Sequence, residues 1–171
     1  NLDGFIWIHG LHAKGKQKER LELAVLLSYK CVNSREITIE LKKVIMKETN
    51  SNILFSIKPK YINLILSGEK DYEYRNFYWD VEYPSWFTVY ESSQICSVKY
   101  FILLDSPYKK GQKICGNKSY GTERFNDGTM NSKYAYPILN IIDLQEPISL
   151  IDLKNIGLFP PQKFIYVDRN L

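Results

Sequence analysis

The chain has 171 residues, of which 44% are hydrophobic, so it can build a sizeable core and wholesale disorder is excluded. Its net charge of +4 permits an anionic partner without demanding one, and the sequence contains no run of about 18 apolar residues that could span a membrane. The three cysteines show no CxxC spacing and fit neither a disulfide framework nor a zinc knuckle, which favours a cytoplasmic protein without a metal or other cofactor.

Residues 1–50 predict a strand followed by two helices. Residues 5–8 are a short apolar run typical of a strand, and residues 16–29 are apolar on most sides, as in a buried helix. Residues 33–47 open with a capping box and continue as an amphipathic helix. The pair fits either a helix-turn-helix unit or a helical hairpin that packs on the next domain or forms a homodimer. The apolar stripe of the second helix consists of Ile37, Leu41, Val44 and Ile45.

A glycine-rich turn lies between the first strand and the first helix. Residues 10–16 match the GxxxxGK pattern of a phosphate loop, but Gln17 replaces the hydroxyl residue that would bind magnesium. Nucleotide hydrolysis is therefore disfavoured. His9 and His12 have no carboxylate or thiol pattern beside them, so no metal site is predicted. The milder hypothesis is a basic loop that contacts phosphate through Lys14, Lys16, Lys18 and Arg20.

Residues 53–171 predict a second, α+β domain. Residues 53–57 indicate a strand, after which Pro59 suits the first turn of a helix and Gly68 suits the left-handed position that ends it. Residues 71–75 alternate, so Glu73 and Arg75 should share one face of a strand. The inward face of the helix is predicted to be Ile62, Ile65 and Leu66. Further strands are predicted at residues 86–90, 98–104, 136–142 and 164–167, with a long loop over residues 108–133.

Three motifs in this domain resemble the ASCH family, which has a PUA-like fold. They are the KP-x-Y helix start at residues 58–61, the ILSGEK helix end at residues 65–70, and the ExR strand at residues 73–75. The resemblance implies a small β-barrel with flanking helices. It also implies a link to RNA binding or transcription coactivation, and some similar bacterial and phage proteins are classed as regulators that add a helix-turn-helix unit.

The resemblance and the charge pattern together predict a ligand cleft beside the GEK turn. Lys70 and Arg75 would meet phosphate or a base edge, and Glu73 would accept from a base donor. Lys58 would add a cation and Tyr90 a ring face for stacking. The predicted partner is a nucleic acid, with RNA favoured over DNA, and the predicted function is regulation at the level of RNA or transcription.

Two other interpretations of this cleft remain open. One is a structural ion pair of Glu73 with Lys70 or Arg75. The other is a hydrolase for an acylated nucleoside, since one branch of the ASCH family removes acetyl groups from cytidine. That branch has a threonine nucleophile three residues after the lysine, where this chain has Glu73. Lys70 and Glu73 would then be the catalytic candidates, with Glu73 as a general base for water rather than a nucleophile.

Overall fold

The computed structural model describes residues 52–116, 118–155 and 157–167. Within these ranges the chain forms seven strands and three short helices, so the predicted α+β class is confirmed with strands dominant. The strands are β1 (Ile53–Ile57), β2 (Tyr72–Arg75), β3 (Ser85–Glu91), β4 (Ser97–Leu104), β5 (Tyr108–Lys109), β6 (Tyr134–Ser149) and β7 (Phe164–Tyr166). The helices are α1 (Pro59–Leu66), α2 (Thr122–Asn126) and α3 (Leu150–Asn155).

The strands form one half-barrel sheet in the order β2-β6-β4-β3-β1-β7, and β5 pairs with β6 beside this path. β1 and β3 run parallel, whereas the other pairs are antiparallel. β6 has 16 residues and is much longer than the predicted strand at residues 136–142. Its first residues pair with β2 and β5, and the remainder pairs with β4. Along the sheet order, β2 and β7 are therefore the two terminal strands.

Each face of the sheet buries its own apolar cluster. Successive side chains of a strand point to opposite faces, so Leu54 and Phe55 contribute to different clusters. The α3-side cluster contains Leu54, Tyr90, Val98 and Leu153. The α1-side cluster contains Phe55, Ile62, Ile65, Trp79, Phe87 and Tyr136. The candidate site lies on the face of the α1-side cluster.

Helix α1 begins and ends where the sequence predicts. Pro59 lies in its first turn, and Gly68 follows it with a φ of 75°, a conformation that glycine adopts without strain. Ile62 and Ile65 are buried as predicted, but the inward placement of Leu66 is wrong because this side chain is 51% exposed. The following turn is closed by backbone amides of Glu69 and Lys70, which both donate to the carbonyl oxygen of Leu64. This turn delivers Lys70 to the start of β2.

The prediction of a long loop over residues 108–133 is wrong in part. The segment contains β5 and α2, and it carries a small apolar cluster of its own. Ile114 and Phe125 are buried there against Tyr72 and Tyr74, the outward side chains of β2. Sequence pattern misses this packing because the apolar residues are few and widely spaced between glycines and lysines. The segment therefore covers the outer face of β2.

Gly121 permits the closest approach of this segment to β2. Its φ is +86°, and an added Cβ would lie 2.7 Å from Cε2 of Tyr74 and 2.9 Å from Cε of Met130. We expect Gly121→Ala to lower the free energy of unfolding by about 1–3 kcal/mol, through backbone strain together with the clash. Urea denaturation measures this change. Gly116→Ala is the matched control, because Gly116 has a φ of +77° and no described atom within 4 Å. Equal losses in the two variants would show that the clash with Tyr74 has no effect.

The predicted strand and helices of residues 1–50 lie outside the described residues, as do Lys14, Lys16, Lys18 and Arg20. The helix-turn-helix unit and the homodimer through its apolar stripe therefore stay predictions. Within the described ranges, no helix combines the length and apolarity needed to cross a membrane.

Candidate functional site

Three of the predicted cleft residues meet in one ion cluster at β2. Nζ of Lys70 lies 2.6 Å from Oε2 of Glu73, and Nη2 of Arg75 lies 2.7 Å from Oε1 of the same carboxylate. Because β2 alternates, Glu73 and Arg75 point to the α1-side face, whereas Tyr72 and Tyr74 pack in the cluster on the outer face. The turn after α1 brings Lys70 up to the carboxylate. The predicted ion pair is thus confirmed, and it involves both cations at once.

The cluster is buried to different degrees. The side chains of Lys70 and Glu73 are 3% and 7% exposed, whereas that of Arg75 is 15% exposed. Lys70 also donates to the carbonyl oxygen of Tyr72, and its Nζ lies 5.3 Å from the centroid of the Tyr74 ring. Arg75 is consequently the member of the cluster that a ligand at the surface can reach most directly.

Glu73 remains a carboxylate in this environment. Burial by itself raises the pKa of Glu73, but the charges of Lys70 and Arg75 and their hydrogen bonds outweigh burial and hold the pKa below its ordinary value. Two positive charges surround one negative charge, so the cluster carries one positive charge in excess. An anion next to Arg75 would compensate that excess.

Arg75 also connects β2, at one end of the sheet order, with β1, the strand next to the other end. From β2, its Nη2 donates to the carbonyl oxygen of Ser56 in β1 at 2.7 Å. The guanidinium carbon lies 4.9 Å from the centroid of the Phe55 ring, within cation–π distance. The amide of Ser56 in turn donates to the carbonyl oxygen of Lys163, the residue before β7. A side chain thus closes the half-barrel at a place where no ladder of backbone hydrogen bonds joins β2 to β1.

Five residues lie at or next to this junction, which we call the seam and define as Arg75, Tyr78, Lys133, Lys163 and Tyr166. Lys133 precedes β6, and its amide donates to the carbonyl oxygen of Arg75 at 3.0 Å. Lys163 precedes β7, and its carbonyl oxygen accepts from Ser56. Both lysines are exposed, as are the rings of Tyr78 and Tyr166. Backbone contacts thus bring two exposed lysines close to Arg75, and ring contacts bring two exposed tyrosines close to the strands that flank it.

The structure does not bring every predicted residue to this place. Tyr90 is 4% exposed and packs in the α3-side cluster, on the opposite face of the sheet from Glu73, so its ring is not available to stack on a base at the ion cluster. Burial and a hydrogen bond with Cys96 raise the pKa of Tyr90 to about 12. Lys58, in contrast, is exposed, and it lies two residues after the Ser56 carbonyl that binds Arg75.

The seam contains functional candidates that sequence reasoning missed. Lys133 and Lys163 are far from Arg75 in sequence, and only the strand pairing of β2 with β6 and of β1 with β7 brings them together. Tyr78 and Tyr166 could not be distinguished from the other tyrosines by composition, because 13 occur in the chain. A usable signal exists for Lys163, which stands immediately before the predicted strand at residues 164–167, whereas Lys133 lies three residues before the predicted strand at residues 136–142.

The geometry of Glu73 argues against its use as a general base. Both carboxylate oxygens already accept from a cation, and the lowered pKa makes the group a weak base. Hydrolysis with Lys70 and Glu73 as catalytic residues thus finds no support in their contacts. Among the described residues, no group of three or more His, Cys, Asp or Glu side chains could hold a metal ion, and His9 and His12 lie outside those residues.

Comparison with solved structures finds ASCH domains. The crystal structure of ASCH from Zymomonas mobilis is 21% identical to this chain, with a TM-score of 0.47, and the match covers 69% of this chain and 88% of that one. A serine-to-alanine mutant of that protein matches at 22% identity over 70% and 91% of the two chains, also with a TM-score of 0.47. No protein-family model and no curated protein matches the chain. The ASCH resemblance of the sequence thus recurs among solved structures. At this identity such a likeness concerns the fold and does not extend to activity.

Proposed function

We propose that the domain binds a nucleic acid at the seam, with RNA favoured over DNA, as the ASCH resemblance implies. The observation that carries the proposal is the excess positive charge at the ion cluster, where Arg75 is partly exposed and the backbone of the exposed Lys133 is hydrogen-bonded to that of Arg75. Phosphate is the anion that arginine and lysine bind most commonly in such a setting, and a nucleic acid presents phosphates in series. A regulatory role at the level of RNA or transcription would follow from this binding.

The hydrogen-bond inventory of Arg75 supports the proposal. Its Nη2 serves both Glu73 and the carbonyl oxygen of Ser56, whereas its Nε is buried and has no partner among the described residues. Because Nε is closed to solvent, an anion would approach Arg75 through the exposed part of its side chain. The guanidinium carbon lies 4.9 Å from the centroid of the Phe55 ring and Nη2 contacts two acceptors, so little conformational freedom would be lost on binding.

Charge reversal of the seam lysines tests the proposal without disturbing the ion cluster. We expect Lys133→Glu and Lys163→Glu each to weaken binding of a labelled single-stranded RNA by about tenfold at near-physiological salt. We also expect each to lower the slope of log affinity against log salt by about 1. Fluorescence anisotropy measures both quantities. Lys154→Glu is the matched control, because Lys154 is exposed on α3, whose buried Leu153 packs on the opposite face of the sheet.

The same titrations with duplex RNA and duplex DNA rank the two nucleic acids. Tighter binding of RNA, weakened by the seam substitutions and not by Lys154→Glu, is the expected result. If wild-type protein binds no nucleic acid, or if all three variants bind as tightly as wild type, the assignment of a nucleic-acid site to the seam is wrong.

A further inference from the structure

We propose that the domain has a second binding site, for the primary ammonium group of an aliphatic amine, where the hairpin of β3 and β4 turns. The carboxylate of the site is Glu91, the last residue of β3, and Ser97, the first residue of β4, contributes a hydroxyl. The inference is independent of the nucleic-acid site proposed at the seam. It arises from two buried polar side chains that lie next to each other and lack hydrogen bonds.

Strand pairing places the polar side chains of this site on one face of the sheet. Glu91 and Ser97 stand directly opposite each other in the antiparallel pair of β3 and β4, so their side chains project from the same face. Tyr90 packs in the α3-side cluster, and the alternation of the strand therefore turns Glu91 to the α1-side face. Asp143 of β6 points to that face as well, because it is the cross-strand partner of Tyr100, a member of the α1-side cluster.

Glu91 and Ser97 are buried without the partners that buried polar groups require. Glu91 is 5% exposed and Ser97 is 6% exposed. The hydroxyl oxygen of Ser97 has no hydrogen-bond partner among the described residues, and no described donor bonds to the carboxylate of Glu91. Burial and the negative charge of Asp143 raise the pKa of Glu91, against the opposing charge of Lys99. A buried carboxylate and hydroxyl without partners lower the stability of the fold, which a bound donor would offset.

The charges around Glu91 favour a cation that carries a single charge. Lys99 and Asp143 pair with each other, with Nζ 3.8 Å from Oδ2, and the two side chains are 33% and 55% exposed. Glu91 has no ion pair of its own among the described residues, so its negative charge is unbalanced in a protein whose net charge is +4. A metal ion does not fit, because no group of three or more His, Cys, Asp or Glu side chains that could hold one occurs in the described part of the chain.

A primary ammonium group matches the acceptors of the site. It has three N–H donors, and the site offers two carboxylate oxygens of Glu91 and the hydroxyl oxygen of Ser97, whose hydroxyl can turn about a single bond. The ring of Tyr100 adds a cation–π contact in this region, since Nζ of Lys99 lies 5.2 Å from its centroid. A quaternary ammonium has the same charge but no N–H donor, so the site should reject it.

Putrescine and its bis(trimethylammonium) analogue test the inference, because both carry two positive charges and only putrescine has N–H donors. In isothermal titration calorimetry at near-physiological salt, we expect putrescine to bind and the analogue to bind at least about tenfold more weakly. We expect Glu91→Gln to weaken putrescine binding by about tenfold or more and Ser97→Ala by about threefold, since hydrogen bonds to charged groups are the stronger ones. Glu82→Gln is the matched control and should have no effect, because Glu82 is an exposed carboxylate that precedes the other end of β3.

Thermal unfolding supplies a second measurement on the same proteins. Because Glu91 is buried without a partner, Glu91→Gln should unfold at a temperature no lower than that of wild type, and putrescine should raise the unfolding temperature of wild type alone. Lys99→Met removes a competing cation and should bind putrescine about threefold more tightly. The inference is wrong if putrescine does not bind, if Glu91→Gln binds it as tightly as wild type, or if the analogue binds equally well. None of these outcomes affects the seam, which is tested with RNA.

Discussion

Glu73→Gln is expected to lower the free energy of unfolding by about 3–5 kcal/mol. The substitution keeps the size of the side chain but removes the charge that neutralises Lys70 and Arg75, and a buried cation without its counter-charge is costly. It also weakens the contact that holds Arg75 in place to bridge from β2 to the carbonyl oxygen of Ser56. Urea denaturation followed by tryptophan fluorescence measures the change.

Glu69→Gln is the control for that experiment. Glu69 belongs to the same GEK turn but is exposed, and its carboxylate accepts from the hydroxyl of Ser67 rather than from a cation of the cluster. Its neutralisation should change the stability by less than about 0.5 kcal/mol. A Lys70→Met/Glu73→Gln double variant should recover part of the loss, since one unpaired cation is removed. Equal stability of Glu73→Gln and wild type would show that the ion cluster does not hold the half-barrel together.

The pH dependence of stability gives a second measure of the same cluster. Because the pKa of Glu73 is lower in the folded state, the unfolded state binds the proton more readily. The contribution of Glu73 is therefore fully present above its ordinary value of 4.5 and is lost as the pH falls through the lower folded value. As the pH falls through this acid range, the free energy of unfolding of wild type should decrease. The decrease should be smaller for Glu73→Gln, which has no carboxylate at this position. Parallel pH profiles for the two proteins would contradict the ionised state of Glu73.

Trp79→Ala is expected to lower the free energy of unfolding by a similar amount, about 3–5 kcal/mol. Trp79 is fully buried, and its ring lies 4.8 Å from Tyr136, 4.9 Å from Phe87 and 5.0 Å from Phe55. Its removal would leave a cavity at the centre of the α1-side cluster, next to the ring that supports Arg75. Urea denaturation again measures the loss.

Two further variants are controls for this prediction. Trp79→Phe should cost clearly less than alanine, because Nε1 of Trp79 is buried without a hydrogen-bond partner among the described residues and its removal recovers that cost. Tyr78→Ala, one residue away and 47% exposed, should change stability by less than about 1 kcal/mol. A loss below about 1 kcal/mol in Trp79→Ala would show that the loop before β3 is not part of the core.

The sequence predicts most of the half-barrel because its local signals agree with one another. Pro59 and Gly68 bound α1, and the alternation of residues 71–75 places Glu73 and Arg75 on one face of β2. These features depend on neighbours in the chain. The burial of Tyr90 could not be predicted in this way. Every residue of β3 is buried, so its sequence does not alternate between apolar and polar residues and does not indicate which face of the sheet Tyr90 lies on. The bridge from Arg75 to Ser56 depends on how far the sheet closes, which no local pattern specifies.

Photo-crosslinking tests the seam most directly. A thiouridine-containing oligouridine would be irradiated with the 171-residue chain, and the cross-linked peptides would be located by mass spectrometry. We predict cross-links in the peptides that carry Tyr78 and Tyr166, reduced by Lys133→Glu and Lys163→Glu. Cross-links confined to residues 1–50, or to the region of Tyr120, would contradict the account and would place RNA binding elsewhere in the chain.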